Sequence, residues 1–272
     1  MKIGSDLCSI KRYGTRYKLT LYKHRSRRPG GGYRPPEIRE DGRLENNLSR
    51  ARGRVFELAM CNPWEWFFTG TISAENWDRS DLDAWYKSLS QYVRNLRRNG
   101  SPCSYLLVPE QHKNGAWHIH GLLSGFPSDS FRAFGADEYL PLELLRKIRS
   151  GTDVREWVGY RQRYGFCSLE PIRNQNRAAS YITKYITKSL GSGEGVSLPG
   201  LAPGKHLYYS SRGLAGAELI AVEYFHIPDG YKWDYEGEYV NILWKDSDDF
   251  GLDGLDETVY GWEEEDGKRM DI

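Results

Sequence analysis

Two strand-like runs, SYLLVPEQH at 104–112 and AWHIHGLLSGF at 116–126, are separated only by Lys113, Asn114 and Gly115. Two β-rich runs that close cannot avoid pairing with each other, so this segment predicts an antiparallel hairpin. A two-residue turn would set Pro109 and Gln111 on the working face. A three-residue turn with Gly115 left-handed pairs His112 with Ala116 and puts Glu110 opposite His118. Residues two apart on a strand share a face, so His118 and His120 project together, while Ile119 and Leu122 are expected to enter the core on the other side.

The hairpin sits in an ordered series. EWFFTGTIS at 65–73 reads as a strand. The next segment spaces Leu82, Trp85, Leu89, Val93 and Leu96 by three and four residues, with Ser80 as N-cap and Gly100 as stop, and predicts a helix. Beyond the hairpin, PLELLRKIRS reads as a short helix, GFCSLEPI as a strand, and NQNRAASYITKYITKSLG as a helix stopped by Gly191. Strand, helix, hairpin, insertion, strand, helix predicts an α+β fold, an antiparallel sheet with flanking helices.

Charge divides the 272 residues into three parts. Residues 1–60 hold 15 Lys and Arg against 6 Asp and Glu; residues 229–272 hold 4 against 15; the middle is near balance. The expected organisation is therefore a basic Arg/Gly/Pro-rich, partly extended arm at 1–60, a domain at 61–228 and an acidic tail at 229–272. No run approaches the roughly 20 apolar residues of a membrane span, and the N-terminus lacks the apolar core of a signal peptide. The protein is expected to be soluble and cytoplasmic, with no membrane partner. Cys8, Cys61, Cys103 and Cys167 have no short paired spacing, which suggests neither a zinc knuckle nor a disulfide framework and points to reduced, mostly structural thiols.

Two imidazoles and one carboxylate on a single face are a donor set suited to Mg²⁺ or Mn²⁺ with open positions for water and phosphate oxygens; His112, at the hairpin tip, is a fallback ligand. The second constellation is YITKYITK at 181–188. Residues four apart share a helix face, so Tyr181 and Tyr185 form one stripe, Lys184 and Lys188 a second, and Ile182 and Ile186 a third that can dock on the sheet. An unactivated phenol has a pKa near 10 and attacks poorly at neutral pH. A polarised phosphate and a nearby cation supply what it lacks.

FFTGT at 67–71, WHIHG at 117–121 and YITKYITK, in that order, resemble the three motifs of the HUH rolling-circle replication initiators, most closely those of microviruses and filamentous phages. The resemblance spans about residues 64–190. It departs at Gly70, where the family usually carries a bulky apolar residue, a departure that points to local flexibility. The resemblance implies a central five-stranded antiparallel sheet, RRM-like, with the histidines on a central strand and the tyrosine helix facing them. It implies Glu110, His118 and His120 as metal ligands, Tyr181 and Tyr185 as nucleophiles, and Lys184 and Lys188 as phosphate stabilisers. The implied reaction nicks single-stranded DNA at a replication origin, which can be a hairpin, leaving a 5′-phosphotyrosyl link and a free 3′-OH; a second transfer rejoins the displaced strand. The setting is the cytoplasm of a bacterial host of a phage or mobile element.

GLAPGKH at 200–206 has one residue too few for a phosphate-binding loop and reads as a turn. Without an ATPase motif, a host helicase and DNA polymerase are implied as partners. Arg25, Arg27, Arg28, Arg34 and Tyr33 of the arm are candidates for phosphate contact and base stacking. Rival readings are an HUH transposase, a metal hydrolase that forms no covalent adduct, and a non-catalytic module that binds single-stranded nucleic acid and needs neither the His pair nor the doubled tyrosine.

Overall fold

The computed structural model describes residues 6–23, 40–112, 114–135, 137–188, 206–225, 232–237 and 240–247. The chain divides into two compact units, Met1–Pro36 with Gly216–Ile272, and Glu37–Ala215. The fold is α+β, with one antiparallel sheet in each unit.

In the first unit, β1 (Asp6–Tyr13) and β2 (Arg16–Tyr22) form a hairpin turned at Gly14, whose φ is +61°. This replaces the extended arm expected at the start of the chain. Alternation in RYKLTLY places Tyr17, Leu19 and Leu21 on one face, where they are buried with Cys8 and Ile10; the surrounding basic charge hides this period-2 signal in the sequence. Likewise β12 (Val240–Asp246), drawn from the stretch read as an acidic tail, pairs with β2 inside the sheet.

The second unit opens on α1 (Glu40–Cys61), a helix not expected from the sequence, whose Ala51, Val55, Leu58 and Ala59 are buried. Next come β3 (Trp66–Thr71), α2 (Leu82–Arg98), β4 (Ser104–Gln111), β5 (Trp117–Ser124), β6 (Phe131–Ala133), α3 (Leu142–Arg149), β7 (Arg155–Trp157), α4 (Val158–Arg163), β8 (Cys167–Pro171), α5 (Gln175–Lys188) and β9 (Tyr209–Ser210). The sheet order is β6-β7-β8-β3-β5-β4-β9, all antiparallel. It has seven strands rather than five; the two outermost are only three and two residues long.

One sheet face is the main core. Phe68, Ile119, Leu107 and Leu169 pack there with Trp85 and Leu89 of α2 and with Tyr160 and Tyr164. The cap of α2 is Asp81, whose side chain accepts from the Ala84 amide at 2.9 Å, not Ser80. Ser80 instead donates its hydroxyl to Asp78. Close packing, not flexibility, accounts for Gly70: a Cβ there would lie 2.5 Å from Phe68 Cζ and 2.7 Å from the Tyr160 hydroxyl. Tyr160, which donates to the Thr71 carbonyl at 3.1 Å, fills the volume a bulky residue would take. The other face is covered by α1 and α5, which contact each other. Gln175 fixes the start of α5 by donating to the Ala59 and Asn62 carbonyls at the end of α1.

Candidate functional site: an imidazole, carboxylate and tyrosine face

The hairpin closes as a three-residue turn. The His112 amide donates to the Ala116 carbonyl at 2.9 Å, and Gly115, at φ +82°, donates to the His112 carbonyl at 2.8 Å. This register sets Glu110 opposite His118 and Val108 opposite His120. On the other side of β5, β3 brings Thr71 to His118 and Thr69 to His120. Parity corrects one expectation: Ile119 enters the main core, but Leu122 pairs with Phe67 and Leu106 on the histidine side.

His120 is nearly buried, and its Nε2 lies 2.8 Å from Glu110 Oε2. An ionised carboxylate can only accept, so Nε2 carries the proton and Nδ1 faces the Thr69 hydroxyl at 3.4 Å. His118 stands against His112, ring centroids 3.8 Å apart. Burial first, then the neighbouring His112 and His120, push its pKa down to about 4. It is therefore a neutral imidazole with a lone pair at neutral pH, the form a metal requires.

The helix α5 lays its tyrosines over this face. Tyr185 stacks on His120 with centroids 3.5 Å apart and planes 17° from parallel. Its hydroxyl donates to that of Tyr181 at 2.8 Å. Burial, and then the bond to Tyr181, push the Tyr185 phenol above its ordinary range. Tyr181 is 47% exposed against 8% for Tyr185, although they sit one turn apart. Phe67 explains part of this placement, its ring 5.2 Å from Tyr181. Lys184 places its ammonium 5.7 Å from the Tyr181 ring, while Ile182 and Ile186 are buried as expected. The side chain of Lys188, and the residues Arg25, Arg27, Arg28, Tyr33 and Arg34, lie outside the described residues, as do Gly191 and nearly all of GLAPGKH.

Two adjacent octahedral ligands at about 2.1 Å from a cation stand about 3 Å apart, close to the 2.8 Å between His120 and Glu110. The donor set thus fits a divalent ion in chemistry, once the Nε2 proton that bridges His120 to Glu110 is given up. Among the described residues, however, no three His, Cys, Asp or Glu side chains form a cluster at coordinating spacing; His118 shares the face without sharing a coordination sphere. The tyrosines, Phe67, Thr69 and His118 line a cleft of about 1160 Å³ that runs on to Lys147, Arg173 and Arg177. Sequence reasoning missed Arg79, whose charge is felt at His118 and whose buried Nε has no hydrogen-bond partner. It lies in the loop before α2, where no periodic signal marks it.

Fold and site together define an α+β domain whose sheet carries a His-x-His pair under a tyrosine helix. Residues 65–190 match the model of the family described as replication-associated protein ORF2, and this stretch of the chain is similar to that family. Neither a curated protein nor a solved structure matches the chain. No helix among the described residues is long and apolar enough to cross a membrane.

Proposed function

We propose that this replication-associated protein starts rolling-circle replication by nicking single-stranded DNA at an origin through Tyr181 and Tyr185, and rejoins the displaced strand. The observation that carries the reading is the stack of Tyr185 on His120 with its hydroxyl bonded to Tyr181, which sets both phenols beside the Glu110–His120 edge. A structural helix needs only its isoleucine face to dock. It gains nothing from two phenols aimed at one imidazole.

In the proposed step a tyrosine Oη bonds to phosphorus and the P–O3′ bond breaks. The phenolic proton is given up to a base or solvent, and the released 3′ oxygen takes up a proton and remains as a primer end. Tyr181, the exposed partner and the acceptor of the Tyr185 hydrogen bond, attacks first. After one round Tyr185 attacks the regenerated junction, forming a new 5′-phosphotyrosyl link and releasing the 3′-OH of the displaced strand, which attacks the first phosphotyrosyl link, frees Tyr181 and closes the circle. Lys184 and Arg79 supply positive charge for the phosphate oxygens. Glu110 and His120, with His118 drawn in from the same face, would hold a Mg²⁺ or Mn²⁺ ion, which when bound would polarise the phosphate. His120 would then carry its proton on Nδ1, facing the Thr69 hydroxyl, and leave Nε2 to the ion.

The test mixes the protein with single-stranded DNA of its own replicon and Mn²⁺ or Mg²⁺ and looks for protein carrying covalent DNA on a denaturing gel. The expected adduct survives boiling, is lost with EDTA or His118→Ala, and is abolished only when Tyr181 and Tyr185 are both changed to Phe. Cleavage without an adduct would give the hydrolase reading its place.

A further inference from the structure

The five-stranded sheet of the first unit has an order of β10 (Glu218–Phe225), β1, β2, β12 and β11 (Tyr235–Glu236). One face is the small core of Cys8, Ile10, Tyr17, Leu19 and Leu21. The register decides what the opposite face presents. One row across the sheet runs Leu219, Lys11, Lys18, Trp244, so two lysines stand directly opposite each other on neighbouring strands. The next row runs Val222, Ser9, Thr20, Ile242, Tyr235, and Tyr22 follows.

Like charges directly opposite across two strands destabilise a sheet, and folding alone gives no reason to keep them. Lys18 is half-buried, and burial together with Lys11 holds its pKa below the ordinary lysine value. Arg16 is the next cation along β2; it pairs with Asp246 at 2.8 Å, and Arg16 and Lys18 both lie over the Trp244 ring, at 5.4 and 5.8 Å from its centroid. Asp246 is engaged by Arg16, and among the described residues no carboxylate pairs with Lys11 or Lys18. Around the lysine pair lie the Thr20 hydroxyl and the exposed rings of Tyr22 and Tyr235, the Tyr22 hydroxyl being hydrogen-bonded at 3.0 Å to that of the buried Ser9. Leu219 and Val222 are more than half exposed.

We propose that this face of the five-stranded sheet is a second binding surface, for single-stranded DNA, separate from the tyrosine site. Opposed lysines suit a phosphodiester backbone, which brings the anion their repulsion requires. Flanking rings and exposed aliphatic side chains suit unstacked bases, whereas a duplex hides its base faces. The proposal is independent of nicking chemistry. It accounts for a hairpin and an interior strand that lie outside the family match and that the tyrosine face does not use.

The experiment uses the full chain with Tyr181→Phe and Tyr185→Phe in EDTA, so that no covalent step intervenes, and reads fluorescence anisotropy of a labelled dT oligonucleotide over a salt series. Lys11→Gln with Lys18→Gln should weaken binding by about tenfold at low salt and reduce the slope of log K against log salt by about 1.4, the share of two phosphate contacts on a single strand. The same variant should melt at a higher temperature, because the repulsion is gone. Tyr22→Leu should weaken binding several-fold with the slope unchanged. Unchanged affinity and slope in the double lysine variant would overturn the proposal, as would an equal loss for a duplex of the same length. Covalent adduct formation by the chain with both tyrosines intact is scored separately, so failure of the nicking reading and failure of this one are distinguishable.

Discussion

The two sheets treat their polar groups in opposite ways. On the seven-stranded sheet the polar side chains of the working face satisfy one another: Glu110 holds His120, Thr69 holds its other nitrogen, and Tyr185 covers the ring while bonding to Tyr181. On the five-stranded sheet Lys11 and Lys18 oppose each other, and apolar side chains stand in solvent beside them. Preorganised groups in a nearly dry site can act on a reacting bond without first being rearranged. An open face with unmatched charge suits contacts that are made and released. The difference teaches how two sheets of the same antiparallel kind can suit the two proposed roles, chemistry on one and tethering on the other.

The largest effect that would break this contrast concerns the covalent step. Changing Tyr181 and Tyr185 together to Phe should remove the adduct entirely, while Lys11→Gln with Lys18→Gln should leave it at full yield on a saturating oligonucleotide; a denaturing gel reads both. Singly, Tyr181→Phe should slow the first cleavage more than Tyr185→Phe in single-turnover assays, and the reverse order would show that exposure does not choose the nucleophile.

Burial gives the next largest difference. Phe68 of β3 is fully buried in the main core, so Phe68→Ala should cost about 3–5 kcal/mol in denaturant unfolding. Val222, 52% exposed on the other sheet, should tolerate Thr within about 0.5 kcal/mol. A large loss at Val222 would mean that its face is covered in the folded protein.

The histidine face also sharpens the comparison through pH. The folded pKa of His118 lies near 4, below the ordinary 6.5, so between these values the unfolded chain binds the extra proton. Stability in EDTA should therefore be complete above about pH 6.5 and fall toward pH 4, by on the order of 2 kcal/mol once solvent screening is allowed for. His118→Gln should flatten that part of the profile. The smallest expected change is at the α2 cap, where Asp81→Ala should cost about 1 kcal/mol by thermal melting.

Much of the first site is legible in the sequence because its rules are local. Period 2 puts His118 and His120 on one face, the left-handed Gly115 fixes the register that brings Glu110 to them, and period 3.6 stacks Tyr181 on Tyr185. Leu122 departs from its expected place in the core although the same parity, counted two residues beyond His120, sets it with the histidines. Ser80 reads as a cap in the sequence because the choice between neighbouring Ser and Asp depends on backbone angles that residue type does not reveal.

By itself, then, the amino-acid sequence determined the elements of the tyrosine site and which residues share a face within each, since that depends on contacts within one hairpin or one helix; that the helix lies over the hairpin is a matter of tertiary packing. Tertiary structure alone decided that residues near the start of the chain pair with strands more than 200 residues later, as Cys8 does with Glu223 and Leu21 with Asn241. It also decided that Gly70 yields its space to Tyr160, and that of two tyrosines one turn apart one is half exposed and the other buried. Strand partners so far apart are chosen by burial summed over whole faces, and no short stretch of sequence carries that sum.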